Sequence, residues 1–407
     1  MRYFFQFMFL VLVFCSCNND TSIKSEKNLA LLNGTWKLEF STQGYQIPVN
    51  ATISNNILTI INADEKIETD LVIKKDSFYV TIPNFNSHLE GVILSNKKIN
   101  GLYIKDLVED YVIPFTANYT NDDRFVSISE HPSTIKSKYE VSIDRGESTS
   151  KAIGLFKQSG KYVVSSFATE TGDYRFLEGV IDGSKLNVST FDGSHLFLFT
   201  ADIKGDSLIN GLYISGKTGN YKWEAVANEN FELGDPEKLT SVNKGDKPDL
   251  NLKLLSINGD SVSLSDEQFR NKVKIVQIMG TWCPNCLDET RYFNTLYSKY
   301  NIHGLEIISV AFERGTDLAS ILEKLNKYKR DNNIDYTILY GGKSGNKNAL
   351  EVFPYLDKVM SFPTAIYFDK TNNIRKIYTG FYGPGTGKYY EDYTLKTEKF
   401  IEKLLAE

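Results

Sequence analysis

Two of the four cysteines in this 407-residue chain lie close together, in the segment TWCPNC at residues 281–286. Cys283 and Cys286 are three positions apart, a spacing that suits a reactive dithiol, half of a metal site or a small structural disulfide. A zinc site needs four ligands, but the chain has no second cysteine pair and its histidines are scattered. We therefore expect no metal and no cofactor. A disulfide here would add little stability, because the loop that it closes is very short.

A strand and a helix are predicted to hold this dithiol. Residues 272–280 (KVKIVQIMG) form a nearly continuous apolar run, typical of a buried parallel strand, and a helical pattern follows. Cys283 is then expected at the exposed N-terminus of the helix, where free N–H groups and the helix dipole stabilise a thiolate, the nucleophilic form of cysteine. Cys286, one turn later, shares the same face and can reach back. Pro284 loses no hydrogen bond in a first turn.

The rest of the C-terminal region alternates strands with helices. A hairpin is predicted at Asn258-Gly259. Further strands and helices are predicted at residues 305–312 (strand), 317–333 (helix), 336–341, 363–369 and 374–381 (strands) and 394–405 (helix). Strands that alternate with helices indicate an α/β sheet.

The TWCPNC motif after a buried strand, together with SFPTAIYFD at residues 361–369, resembles the thioredoxin fold. The likeness is greatest to the membrane-tethered, extracytoplasmic thiol-disulfide oxidoreductases of the TlpA/ResA type, and it covers about residues 246–407. This resemblance implies that Trp282 flanks the attacking thiol, that Cys283 is the nucleophile, and that Cys286 is the resolving thiol that forms the redox disulfide with it.

Three further positions follow from the same resemblance. Pro363 would be the cis-proline opposite the cysteines; an ordinary trans proline at the start of a strand is the alternative. Cytoplasmic thioredoxins place a buried aspartate six residues before the first cysteine, where this chain has Gln277, which cannot act as a carboxylate base. Glu313, at the end of the next strand, is a candidate replacement; a solvated loop residue is the alternative.

A longer region of β character precedes the α/β region. Residues 31–228 contain alternating and β-branched runs, such as GTWKLEF and KLNVSTF, broken by Asn, Asp and Gly. INGLYIKD at residues 99–106 recurs as INGLYISG at 209–216, each after an SHL segment. We predict an all-β domain, a sandwich or barrel-like, made of two related units. The polar residues 229–245 are interpreted as a linker to the C-terminal domain, residues 246–407.

The N-terminus indicates export. Arg2 precedes an uncharged apolar run, residues 3–14, which has the length of a secretory signal and is short for a membrane span. The run ends at a segment that resembles the lipobox of bacterial lipoproteins, so residues 1–17 would be the signal and Cys17 would carry the lipid. A plain signal peptide or a short buried segment is the alternative. The polar residues 18–30 would form a tether, and the protein would face the periplasm from a lipid anchor in a Gram-negative-type cell envelope.

These features together predict a protein-disulfide reductase of the cell envelope. A net charge of −5 and a pI near 5.6 do not favour nucleic-acid binding. The expected partners are protein disulfides as substrates and a membrane dithiol donor that recharges the site. Asn285 between the cysteines supplies no charge, so the reducing direction is implied by the resemblance alone. The alternative is an envelope lipoprotein that binds a ligand or partner and whose dithiol is incidental. For the β region, a spacer and a docking domain both remain open.

Overall fold

The computed structural model describes residues 30–407. These residues form three β-sheets of nine, nine and seven strands, which follow one another along the chain. The predicted signal peptide, Cys17 and all of the tether but residue 30 lie outside the described residues. Within residues 30–407, no helix combines the length and the apolar character that crossing a membrane requires.

The first sheet is antiparallel throughout. Its strands are β1 Gly34–Thr42, β2 Tyr45–Ser54, β3 Ile57–Asn62, β4 Glu65–Asp70, β5 Val72–Lys74, β6 Ser77–Thr81, β7 Ser87–Ser95, β8 Lys98–Lys105 and β9 Val112–Tyr119. They lie in the order β4-β3-β2-β1-β9-β8-β7-β6-β5. Burial alternates along β1, so Trp36, Leu38 and Phe40 lie in the core of this sheet.

The second sheet closes into a barrel. Its strands are β10 Lys138–Asp144, β11 Thr149–Ser159, β12 Tyr162–Thr169, β13 Gly172–Asp173, β14 Leu177–Asp182, β15 Lys185–Phe191, β16 Leu196–Lys204, β17 Ser207–Ser215 and β18 Gly219–Ala227. The order is β11-β10-β18-β17-β16-β15-β14-β12-β13, and β11 also pairs with β12, so every strand except the short β13 belongs to a closed ring. Its interior is aromatic: the ring of Phe199 stacks on Phe167 and Tyr213, with centroids 4.3 Å and 4.1 Å away.

The repeated sequence INGLYI occupies equivalent strands of the two sheets. It lies in β8, between β7 and β9, and in β17, between β16 and β18. Each copy needs its glycine. A Cβ on Gly101 would lie 2.8 Å from the Glu90 carbonyl oxygen, and one on Gly211 would lie 2.2 Å from that of Trp223. The predicted barrel-like, internally repeated all-β region is confirmed.

The third sheet carries helices on both faces. Its strands are β19 Leu254–Ser256, β20 Ser261–Val262, β21 Val273–Met279, β22 Leu305–Glu313, β23 Thr337–Lys343, β24 Thr364–Phe368 and β25 Ile374–Thr379, in the order β20-β19-β23-β22-β21-β24-β25. The α-helices are α1 Pro284–Tyr300, α2 Leu318–Asp331, α3 Asn346–Val352 and α4 Lys388–Ala406. Short 3-10 helices lie at Pro236–Lys238, Glu267–Phe269, Asn301–His303 and Pro384–Thr386.

The central strands β21, β22 and β23 are parallel, and β24 runs antiparallel to β21. Helices α1, α2 and α4 pack in one hydrophobic core, and α3 packs in a second one. This is the thioredoxin fold that the sequence predicts for the C-terminal domain.

Two helices differ from the sequence prediction. Helix α4 begins at Lys388, earlier than the predicted residue 394, because Tyr393 is buried and Tyr390 packs against the core from the added first turn. Helix α3 was not predicted, since its seven residues offer a single buried position, Ala349.

The segment interpreted as a linker is attached to the C-terminal domain along its second half. The Thr240 hydroxyl bonds that of Thr379 at 2.8 Å, and Val242 forms an isolated β-bridge with Leu356. Backbone groups of a polar segment can pair with a neighbouring segment of the same domain. A polar composition alone therefore does not make this segment a free linker.

Candidate functional site

The two cysteines lie where β21 passes into α1. Cys283 is the N-cap of the helix, Pro284 is its first residue, and the backbone N–H of Cys286 donates to Cys283 Sγ at 3.2 Å. Both residues are free thiols. The helix start therefore offers Cys283 Sγ a direct hydrogen bond from a backbone N–H as well as the positive end of the helix dipole.

The first thiol faces the predicted proline. Cys283 Sγ lies 3.6 Å from the Phe362 carbonyl oxygen, and the peptide bond between Phe362 and Pro363 is cis, as predicted. Trp282 lies on the same side: its indole N–H donates to the Phe312 carbonyl at 2.9 Å, and its ring centroid is 5.5 Å from that of Phe362. The structure thus brings Trp282, Cys283 and Pro363 together.

The second thiol is enclosed. Cys286 is 0% exposed, against 7% for Cys283. Burial raises the pKa of the Cys286 thiol well above its usual value, and the hydrogen bond and charge of Cys283 and the charge of Glu289 raise it further. Cys283 is thus largely buried, not at the exposed position that the sequence predicts. The two sulfurs are still chemically unequal, because Cys283 keeps slight access to solvent while Cys286 is held as a thiol beneath it.

A buried carboxyl that sequence reasoning missed lies beside Cys286. Glu289 is 0% exposed, accepts a hydrogen bond from the Gln277 side-chain amide at 2.9 Å and contacts the Tyr393 hydroxyl at 3.5 Å. Burial raises its pKa to about 8. Gln277, at the position of the thioredoxin aspartate, thus binds a carboxyl supplied by α1. Glu289 follows Cys286 at the spacing of one helical turn, a signal in the sequence that could have revealed it.

Glu313 is buried and supports the approach to the dithiol. Its carboxylate accepts from the Thr281 backbone N–H at 2.7 Å and from the Thr281 hydroxyl at 2.8 Å, and it pairs with Lys324 Nζ at 2.7 Å. It is therefore not a solvated loop residue. These contacts place it at the peptide two residues before Cys283, whereas the carboxyl whose charge acts on Cys286 is Glu289.

A side chain from the β region also reaches the dithiol turn. Arg175 donates through Nη1 to the carbonyl oxygen of Pro284, between the two cysteines, at 3.0 Å. No sequence signal connects these residues, which lie 109 positions apart. Among residues 30–407, no group of three or more His, Cys, Asp or Glu side chains could hold a metal ion.

Comparison with known proteins shows that the C-terminal domain is similar to thiol-disulfide oxidoreductases. Residues 243–392 match the Redoxin family. The chain is 28% identical over 127 residues to the thiol-disulfide oxidoreductase ResA of Geobacillus kaustophilus, a match that covers 31% of this chain and 64% of that protein. It is 36% identical over 69 residues to the ResA of Bacillus thuringiensis subsp. konkukian, covering 17% of this chain and 38% of the relative.

Solved structures match this chain at lower sequence identity. The thiol:disulfide interchange protein of Chlorobium tepidum, a thioredoxin family protein, is 16% identical, with a TM-score of 0.31, and the match covers 40% of this chain and 99% of that one. Of the two curated ResA relatives, by contrast, the chain spans less than two thirds of the length of either.

Proposed function

We propose that this chain, whose residues 243–392 form a redoxin domain of the TlpA/ResA-like thiol-disulfide oxidoreductase type, reduces disulfides of exported proteins through Cys283 and Cys286. The observation that carries the proposal is the inequality of the two thiols at a helix start. Cys283 Sγ accepts the Cys286 N–H at 3.2 Å and lies 3.6 Å from the carbonyl oxygen of Phe362, the residue before Pro363, whereas Cys286 is fully buried.

The first step is attack by the Cys283 thiolate on a sulfur of the substrate disulfide. The S–S bond of the substrate breaks, one substrate sulfur leaves as a thiolate, and Cys283 becomes joined to the other in a mixed disulfide. The Cys286 N–H and the helix dipole stabilise the attacking thiolate. In the dithiol state the Phe362 carbonyl is 3.6 Å from Cys283 Sγ; once that sulfur is engaged, the backbone of Phe362 is free to pair with the substrate strand.

The second step needs a proton acceptor for Cys286. Its thiol must lose a proton before it attacks Cys283 Sγ, which releases the substrate as a dithiol and leaves the Cys283–Cys286 disulfide. The electron pair passes from the protein dithiol to the substrate. We assign this role to Glu289, because its buried carboxyl lies one helical turn after Cys286 on α1, acts electrostatically on that thiol and has a pKa of about 8, close to the working range of a general base.

Trp282 and Glu313 have supporting roles in this proposal. The indole of Trp282 lies beside Phe362, with a ring-centroid distance of 5.5 Å, and forms part of the surface that a substrate meets. Glu313 holds the Thr281 peptide by two hydrogen bonds and so fixes the entry into the dithiol turn.

The location and the partners of the protein belong to the same proposal. The apolar run at residues 3–14 and Cys17 support export and a lipid anchor, with the domains facing the periplasm of a Gram-negative-type envelope. There the disulfide left on the protein after each turnover requires a membrane dithiol donor, since the compartment is oxidising.

Insulin reduction tests the proposal. The wild-type chain should precipitate the insulin B chain in the presence of dithiothreitol faster than dithiothreitol alone, and Cys283→Ser should abolish the acceleration. Cys286→Ser serves as the matched control, because it removes one thiol from the same turn but leaves the nucleophile. Equal rates for the wild type and Cys283→Ser would favour the binding lipoprotein. A reduction potential above that of the compartment would reverse the proposed direction.

A further inference from the structure

One buried arginine of the β region connects the first two sheets with helix α1 of the C-terminal domain. Arg175 lies in the turn between β13 and β14 and is 3% exposed. Its guanidinium pairs with Glu65 of the first sheet, with Asp192 after β15 at 3.4 Å, and with Asp288 of α1 at 2.7 Å. The fourth contact is the Pro284 carbonyl at 3.0 Å.

Two of these contacts lie on the dithiol turn itself. Pro284 is between the cysteines, and Asp288 comes two residues after Cys286 on the same helix. Because one nitrogen, Nη1, binds both the Pro284 oxygen and the Asp288 carboxylate, the guanidinium fixes the first turn of α1 relative to its second. That turn holds the Cys286 N–H against Cys283 Sγ.

The backbone around Arg175 fits closely against the same turn. Gly172 lies against Asn285, the other residue between the cysteines: a Cβ on Gly172 would be 1.9 Å from Asn285 Nδ2. Asp173 accepts a hydrogen bond from the backbone N–H of Gly383, which lies in the loop after β25. The loop at residues 171–175 is thus seated on both inner residues of the motif and on a neighbouring loop.

The charges around this contact make Arg175 important for the electrostatics of the dithiol. Glu65, Asp192 and Asp288 are all nearly buried, with side chains 8%, 2% and 5% exposed. Without the guanidinium, Glu65 would lose its ion pair, while Asp192 would keep only His195 and Asp288 only Arg291. Such a loss of counter-charge is costly in a dry environment.

We propose that Arg175 is a positioning residue for the Cys283–Cys286 dithiol, so that the β region completes the redox site. This inference rests on the proposed function. Its contacts are made to the reduced form, in which both cysteines are free thiols. Closing the disulfide draws the two sulfurs to bonding distance and so alters the turn that carries Pro284 and Asn285. Docking of the loop on that turn and the oxidation state of the dithiol are then linked, and the linkage is reciprocal. Removing Arg175 takes away a cation and a hydrogen bond that favour the dithiol, so the balance shifts toward the disulfide.

Redox titration of the full chain against glutathione tests the inference. In this exchange the protein dithiol is oxidised and glutathione disulfide is reduced to two thiols, and alkylation followed by mass measurement counts the free thiols. For Arg175→Met we expect the equilibrium constant for disulfide formation to rise about tenfold, equal to about 30 mV. Arg175→Lys keeps the charge but not the fork of donors, and should lie between Arg175→Met and the wild type.

Arg124→Met is the matched control. Arg124 is equally buried, at 4% exposed, and pairs with Glu178 at 2.8 Å while donating to the Ser189 carbonyl at 2.9 Å. Both partners belong to the β region, so this variant should weaken the β region and leave the glutathione equilibrium at the wild-type value. Equal constants for Arg175→Met, Arg124→Met and the wild type would overturn the inference.

A second variant covers the case in which Arg175→Met does not fold. Gly172→Ala keeps every charged side chain but forces the loop away from Asn285, so it too should shift the equilibrium toward the disulfide, and an unchanged constant would refute the positioning role. A wild-type chain that titrates normally but does not accelerate insulin reduction would refute the proposed function, whereas normal insulin reduction with unshifted Arg175 and Gly172 variants would refute only the inference.

Discussion

Replacing Glu289 with glutamine should remove a pH-dependent part of the stability of the C-terminal domain. Glu289 is fully buried, and burial raises its pKa from 4.5 to about 8. Between these values the folded chain keeps a proton that the unfolded chain has lost. The contribution of this carboxyl to stability is therefore fully present below about pH 4.5, declines as the pH rises, and is lost once the pH passes about 8.

The size of the effect follows from the same two values. At about 1.4 kcal/mol per unit of pKa, the free energy of unfolding of the wild type should fall by about 4 kcal/mol between pH 5 and pH 9 relative to Glu289→Gln. The glutamine keeps the shape and can still bond Gln277, but it has no proton to lose. At pH 9 the variant should accordingly be the more stable protein.

Urea unfolding of the reduced protein at pH 5, 7 and 9, followed by circular dichroism at 222 nm, measures this difference. In residues 30–407 every α-helix lies after residue 283, so this signal reports on the C-terminal domain. Glu323→Gln changes an exposed position of α2 and is the control. Its free energy of unfolding should change with pH as that of the wild type does. If the free energies of unfolding of the wild type and Glu289→Gln also change in parallel with pH, burial does not raise the pKa of Glu289 to about 8, and the pKa match on which its role as acceptor for Cys286 rests is refuted.

Three further predictions concern other parts of the chain. Cys286→Ser should accumulate a covalent complex between Cys283 and substrate on non-reducing gels, because no thiol resolves it; a complex equally abundant in the wild type would argue against this order of steps. Glu313→Gln should lower the free energy of urea unfolding by about 1–3 kcal/mol, since Lys324 loses its buried partner, and an unchanged midpoint would contradict that role. Trp36→Ala should destabilise the first sheet by about 3–5 kcal/mol without changing the glutathione equilibrium, whereas a shifted equilibrium would mean that packing defects anywhere in the β region reach the dithiol.

Local chemistry made the dithiol and its helix predictable. Residues 272–286 alone contain an apolar strand, a proline that suits a first helical turn and a second cysteine one turn later. The position of Cys283 at the N-cap therefore follows from its neighbours in sequence. The repeat was equally visible, because the residues INGLYI recur unchanged at 99–104 and 209–214.

Contacts between distant segments were not predictable from such patterns. Glu289 looks like any polar residue of a helix until Gln277 and Tyr393 are found around it. Glu313 could be placed at a strand end, but whether it would be solvated depended on Lys324 from α2. Arg175 contacts α1 only because the second sheet docks there, and a charged residue in a turn carries no mark of that.

The charges at the dithiol turn bear on whether the β region is a spacer. A spacer needs only to be stable, and apolar side chains of similar volume would stabilise this contact at least as well as buried ions, whose desolvation offsets much of their attraction. The contact nevertheless consists of Arg175 with Asp192 and Asp288, together with Glu65. An ionic cluster of this kind fixes one orientation, because displacement separates the buried guanidinium of Arg175 from the carboxylates that it pairs with. A fixed orientation matters here because Arg175 contacts the turn between the two reacting sulfurs, Cys283 and Cys286. The cluster therefore favours a β region that acts on the dithiol over a β region that only holds the dithiol away from a membrane.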